Sequence, residues 1–229
     1  MAHYLDDYKA RVNNHIRTDD TEIEDSDIED AVQDAVEGYS RIRPRNRRAE
    51  ITGSGVYDLT LPTDWQDNFS LITEVEYPAG EREPEIVDTR EWIIFKTSST
   101  TVLRLLKDTP TATETVRIIY TVPHTLSASA STIPDMDYQA ICYLAAAILC
   151  LDLSARYTAT IDSTLDADTV NWRTKGDEYA RLADRFLVQW NTRMGLRFGD
   201  AVQAATGKAD YDWSFSWDRE FLTHAGISR

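Results

Sequence analysis

Few residues in this sequence are spaced for chemistry. The four histidines, His3, His15, His124 and His224, lie at no metal-ligand spacing from one another or from a cysteine. They are expected on the surface and in loops. The acidic stretch DDTEIEDSDIED, Asp19–Asp30, has the carboxylate density that calcium requires. An EF-hand loop begun at Asp19 would need Gly at its sixth position and Glu at its twelfth, where Glu24 and Asp30 stand. A solvated face followed by a helix start is the expected reading. TGKAD (Thr206–Asp210) has the wrong glycine spacing for a phosphate loop, and Ala209 replaces the magnesium-holding hydroxyl. GSG (Gly53–Gly55) reads as a hairpin turn and not a nucleophile elbow, because no residue separates Ser54 from its glycines. Cys142 and Cys150 are eight positions apart on an apolar run. In a helix their Cα atoms would be about 12 Å apart, beyond the ~7 Å limit of a disulfide, so reduced thiols and a cytosolic folding environment are expected. No catalytic residue, metal or cofactor is expected from these patterns.

Two other stretches point to binding. RIRPRNRR carries Arg41, Arg43, Arg45, Arg47 and Arg48. A helix C-terminus accommodates one or two basic residues, not five, so an interface, a solvated face and a DNA contact stay open. An acidic patch on a neighbouring copy is the nearest candidate partner. ADYDWSFSWDREF (Ala209–Phe221) places Tyr211, Trp213, Phe215 and Trp217 on alternate positions, with Phe221 closing the run. That one-sided, strand-like edge suits addition to a partner's sheet or insertion into its pockets, and Trp and Tyr are enriched at binding hot spots. The segment could instead fold back onto its own chain.

The elements that must carry these stretches follow from periodicity. The chain has 229 residues, 42% of them hydrophobic, enough for a sizeable core, and a net charge of −15. A surface this acidic does not grip nucleic acid as a whole. MAHYLDDYKA is acidic and polar where a secretory leader would be basic and then apolar. The longest apolar run, Ala140–Leu151, is short for a membrane span, and none is expected. Leu5, Tyr8, Val12 and Ile16 predict a helix over 3–17. Ser26 and Glu29 form a capping box that starts a second helix, with Ile28, Ala31, Val32, Ala35, Val36 and Tyr39 on its apolar face and Pro44 beyond its end. Short β-branched runs at 55–62, 70–78, 91–96, 101–106 and 114–123 predict five antiparallel strands. Pro134 opens a central helix to Tyr157, and a long helix over 168–194 ends at Gly195. Its expected stripe is Trp172, Tyr179, Leu182, Ala183, Phe186, Leu187 and Trp190.

The fold class is therefore α+β. About four helices form a bundle, with an antiparallel β insertion between the second and third and an extended C-terminal tail. The expected parts are bundle helices at 1–49, the insertion at 50–123, the central and long helices at 124–195 and a partner-docking tail at 196–229.

SDIEDAVQDAVEGYSR (Ser26–Arg41), STIPDMDYQAICYLAAAILCLDLSARY (Ser131–Tyr157) and DTVNWRTKGDEYARLADRFLVQW (Asp168–Trp190) flank the insertion in an order that resembles the head-to-tail adaptor, or connector, proteins of tailed bacteriophages. The likeness is one of pattern: an Ile-Pro helix start, an Ala-rich central helix and a Lys/Tyr-containing last helix. The β insertion is larger than in compact members and leaves the subfamily open. The resemblance implies a structural virion protein and no enzyme. Copies would form a typically twelvefold ring beneath the portal protein, after folding in the host cytoplasm. The ring would extend the channel, packaged DNA would pass its lumen without specific binding, and the next neck or tail protein would dock on it. The C-terminal segment would reach into the portal, and no membrane span or cofactor is implied. A tail-completion or stopper protein of the same neck is the alternative, favoured by a closed β-barrel with peripheral helices. From another class, an acidic binding module or an enzyme with a dispersed carboxylate site stays open.

Overall fold

The computed structural model describes residues 3–16, 23–97, 100–159 and 169–196. The aromatic run Tyr211–Phe221 and His224 lie outside them, as does the side chain of Trp172.

Helix α1, Leu5–Ile16, buries Leu5, Tyr8, Val12 and Ile16, the stripe that its spacing dictates. Helix α2, Asp25–Ile42, starts two residues earlier than the Ser26 cap implies. The capping box is Glu24 with Asp27, whose carboxylate accepts the Glu24 N–H at 3.3 Å. This register places Asp25 and Asp27 in the first turn, against the positive end of the helix dipole. The helix ends where Arg43 N–H bonds Tyr39 O at 2.8 Å, just before Pro44.

The β region has six strands, not five, and opens at Arg45 rather than Glu50. They are β1 (Arg45–Thr52), β2 (Asp58–Thr60), β3 (Ile72–Glu76), β4 (Trp92–Lys96), β5 (Thr101–Leu105) and β6 (Thr115–Val122). All pair antiparallel, in two three-stranded sheets ordered β1-β6-β3 and β2-β5-β4. The GSG segment is a crossover between the sheets and not a hairpin, since β1 pairs with β6 and β2 with β5. Gly53 passes so close to the β5–β6 loop that a Cβ there would stand 2.3 Å from Thr111 O. Leu59, Val75, Leu103, Val116, Ile118 and Tyr120 fill the core between the sheets.

A 3₁₀ turn, Asp135–Asp137, leads from Pro134 into α3, Tyr138–Ala159. Helix α4 spans Thr169–Met194, and Gly195 closes it at φ +70°. Among the described residues Asp135–Thr158 is one helical stretch long and apolar enough to cross a membrane, although its apolar run is short. Here α1, α2 and α4 surround it, and Ile141, Cys142, Ala145, Ala146 and Cys150 lie in the bundle core. Both cysteines are free, and burial pushes their thiols up to about 12.

Candidate functional site

The arginine run begins on the last turn of α2 and continues along β1, so successive side chains leave in different directions. Arg41 ion-pairs with Glu37 one turn back. Arg43 turns inward. Its guanidinium holds both oxygens of Asp137, at 3.0 and 3.2 Å, and reaches Met194 O at 3.4 Å. Tyr39 donates to the same carboxylate at 2.7 Å. One buried aspartate thus ties together α2, the 3₁₀ turn and, through Arg43, the end of α4. Burial, then the bond to Asp137, push the Tyr39 phenol well above its ordinary range, so it stays a neutral donor.

His124 completes this joint. Its Nε2 lies 3.1 Å from Arg43 O, its Nδ1 3.0 Å from Thr132 O, and its backbone N–H donates to Ser40 Oγ at 2.9 Å. Burial lowers its pKa despite the two backbone bonds. His15 packs against Tyr143 and Phe186, and burial lowers its pKa as well. Neither is the plain surface histidine expected from spacing. Among the described residues no grouping of His, Cys, Asp and Glu could hold a metal.

On β1, Arg47 is opposite Tyr120. It bonds Asp64 at 2.6 Å, and Asp64 accepts the Tyr120 hydroxyl at 2.6 Å. Burial pushes Asp64 up, but these bonds outweigh it and leave its pKa lowered. Burial and the Asp64 bond raise Tyr120 to about 12. Arg45 and Arg48 remain. Both are exposed, and they point to opposite faces of the strand. Among the described residues neither forms a salt bridge, although the charge of Arg48 is among those that lower the Glu76 pKa.

The acidic counterpart lies on the bundle. Asp27, Asp30 and Asp34 run down α2 and join Asp152 of α3 around a groove that Arg156 enters, 3.2 Å from Asp27. Four carboxylates face one arginine. The i, i+3, i+7 acidic stripe on α2 is visible in the sequence, but the Asp152 contribution is not.

No protein-family model matches the sequence, and no curated protein does. Among solved structures, similar chains come from the neck of an empty gene transfer agent (GTA) particle and from the virion of the native particle. Identities are 20% and 19%, TM-scores 0.27 and 0.27, and each match covers 75% of this chain and 87% of the other. A chain in the neck of the native GTA particle matches at 19% identity and TM-score 0.26, over 66% of this chain and 80% of that one. TM-scores this low carry no argument.

Proposed function

We propose that the chain is a structural neck protein of phage type, an adaptor that forms a ring beneath the portal. One observation supports this most directly. The chain exposes two arginines that form no salt bridge among the described residues, Arg45 on one face of β1 and Arg48 on the other, and a carboxylate groove, Asp27, Asp30, Asp34 and Asp152, on the bundle. Two different, complementary patches on one chain make a head-to-tail contact, and a head-to-tail contact that closes makes a ring. The four-helix bundle with its β insertion agrees with the architecture that the sequence resemblance implies. The acidic balance suits a lumen wall that repels phosphate.

In this reading Arg45 and Arg48 are the inter-subunit residues. Arg41, Arg43 and Arg47 have partners within their own chain, Glu37, Asp137 and Asp64. The aromatics Tyr211, Trp213, Phe215, Trp217 and Phe221 would anchor the C-terminal segment in the portal. The two open sheets favour an adaptor over a stopper protein built on a closed barrel. Negative-stain microscopy of the protein mixed with filled, tailless heads tests the reading. Rings at the portal vertex are expected, and their absence at saturating protein would overturn it.

A further inference from the structure

Strand β4 is left open on one side. It is an edge of the β2-β5-β4 sheet, and no described strand pairs with its other side. Thr97 N–H bonds Thr100 O and Leu106 N–H bonds Glu91 O, each at 2.8 Å. Antiparallel pairs alternate between bonded and non-bonded, so in this register Ile93 and Phe95 bond inward to β5. The N–H and C=O groups of Trp92, Ile94 and Lys96 point to the free edge, and no backbone bond from a described residue reaches them. Edges of this kind are normally blunted by charge, proline or a bulge. Strand β1, an edge of the other sheet, carries Arg45, Arg47 and Arg48. Strand β4 is WIIFK, with Ile93, Ile94 and Phe95 38–42% exposed and Lys96 at one end as its only charge.

We infer that β4 pairs antiparallel with β4 of a second copy, about a two-fold axis at Ile94, so that two three-stranded sheets join into one of six strands. The strand is complementary to itself. Its outward-bonding residues, Trp92, Ile94 and Lys96, are spaced evenly about Ile94. Ile94 therefore meets the partner's Ile94 and Trp92 meets the partner's Lys96, each as a pair that exchanges backbone bonds. The non-bonded pairs between them bring side chains closest. They set Ile93 against the partner's Phe95 on the outer face, an aromatic and β-branched pair of the kind that stabilises sheets. Arg104 lies over the Phe95 ring at 4.0 Å and fixes it on that face. No like charges are opposed, since Lys96 stands against the partner's Trp92. Charge also selects a second copy as the occupant. A chain of net charge −15 repels its own kind, but the carboxylates that adjoin this strand are neutralised within the chain. Glu91 is paired with Lys107, Asp67 with Lys96 at 3.0 Å, and Asp58 with Arg104 at 2.6 and 2.8 Å. The edge is thus a neutral, apolar strip where two acidic chains meet with little repulsion. The contact is isologous, unlike the head-to-tail contact of the ring, and does not rest on the neck reading. A strand pair this short falls below the ~1,200 Å² of a standard interface, so the dimer is weak and in equilibrium with monomer.

Charge placed on the axis tests the pairing in the full chain, read by analytical ultracentrifugation. The wild type should pass from monomer to dimer as concentration rises. Ile94→Lys and Ile94→Glu each oppose like charges across the axis, and each should raise the dissociation constant at least about tenfold. Mixed in equal amounts, the two variants set Lys against Glu and should dimerise again. Protected amides of Ile93 and Phe95, bonded to β5, report that the sheet is intact in each variant. A wild type still monomeric at about 1 mM would overturn the inference. So would association that is equal in the wild type and either variant, because a contact made elsewhere on the chain does not respond to position 94, or a mixture that stays monomeric. Amide exchange of the wild type gives a second reading that needs no variant. The outward amides of Ile94 and Lys96 should slow with concentration, about tenfold where roughly nine chains in ten are paired, while those of Ile93 and Phe95 stay constant. Fast exchange of Ile94 and Lys96 at every concentration would overturn the pairing, as would protection that does not depend on concentration, which would mean that the chain covers its own edge.

Discussion

Asp137 is a buried carboxylate that joins separate segments. Its side chain is 9% exposed, and its oxygens take Arg43 and Tyr39. Arg43→Ser removes the cation from a desolvated carboxylate and should cost about 1–3 kcal/mol. Arg45→Ser and Arg48→Ser should stay within about 0.5 kcal/mol of wild type. Urea unfolding of the three variants measures this, and equal loss in all three would contradict the division of the arginine run into internal and free members. That division could not be read from the sequence. The run itself is legible as five arginines, but the partners that settle their roles, Asp64, Asp137 and Met194 O, lie 17, 94 and 151 positions away. The histidines show the same limit. Spacing excludes a metal cluster, yet the Arg43 and Thr132 carbonyls that hold His124 belong to two other segments. Burial holds the pKa values of His15 and His124 below 6.5. A lowered folded pKa gives stability that is complete above the unfolded value of about 6.5 and declines as pH falls through the folded value. A first loss of stability is therefore expected on acidification below about pH 6.5. It should shrink in a His15→Gln/His124→Gln variant, as read by melting temperature against pH.

Helices were the most legible elements, because a 3.6-residue stripe persists over many turns: Leu5, Tyr8, Val12 and Ile16 in α1 are buried as their spacing requires. Strand β1 was not legible. RNRRAEIT shows no alternation until Ala49 and Ile51, and it becomes a strand through its register with β6, whose Val116, Ile118, Tyr120 and Val122 are all buried. The pairing partner, distant in sequence (Arg47 faces Tyr120 and Glu50 faces Arg117), lends the apolar face that β1 lacks. The crossover after β1 depends on Gly53. Gly53→Ala forces Cβ into the Pro110 and Thr111 backbone and should destabilise by about 2–4 kcal/mol, whereas Gly55→Ala meets no atom and is disfavoured only by its φ of +78°. Among the described residues the carboxylates with lowered pKa values lie in the β module. Glu76 is lowered by the Gly80 N–H and, against burial, by Arg117, Asp58 by Arg104, and Asp67 by Lys96 and Thr101. Depressed carboxylates stabilise above their unfolded values of about 4 and lose that contribution as pH falls further. Below about pH 4, amides of β6 should therefore lose protection before those of α3; the reverse order would place the acid-labile contacts in the bundle.

At the scale of the whole molecule the net charge of −15 conceals an uneven distribution, and that unevenness decides how copies can meet. Exposed ion pairs give only ~0.2–1 kcal/mol each, so the isolated protein should be a monomer or a weak oligomer, with the ring templated on a portal. Screening shortens the reach of charge from about 10 Å at 0.1 M salt to about 3 Å at 1 M, so contacts between copies should weaken steeply with salt. Salt alone does not identify the patches, but charge reversal does. An Arg45→Glu/Arg48→Glu variant reverses the charge on both faces of β1, whichever meets the groove, and should fail to form rings while its melting temperature falls only slightly, because neither arginine forms a salt bridge among the described residues and Arg48 acts on Glu76 only through its charge. An Asp30→Lys/Asp34→Lys variant should fail for the mirror-image reason, both residues being exposed on α2. In a head-to-tail ring every contact joins the β1 strand of one copy to the groove of the next, so a chain that carries both reversals again presents opposite charges at every contact. Analytical ultracentrifugation and negative-stain microscopy of the two variants and their combination on portal-bearing heads should show two failures and one recovery. Rings formed equally well by either single reversal would remove these patches from the contact, whatever the identity of the assembly.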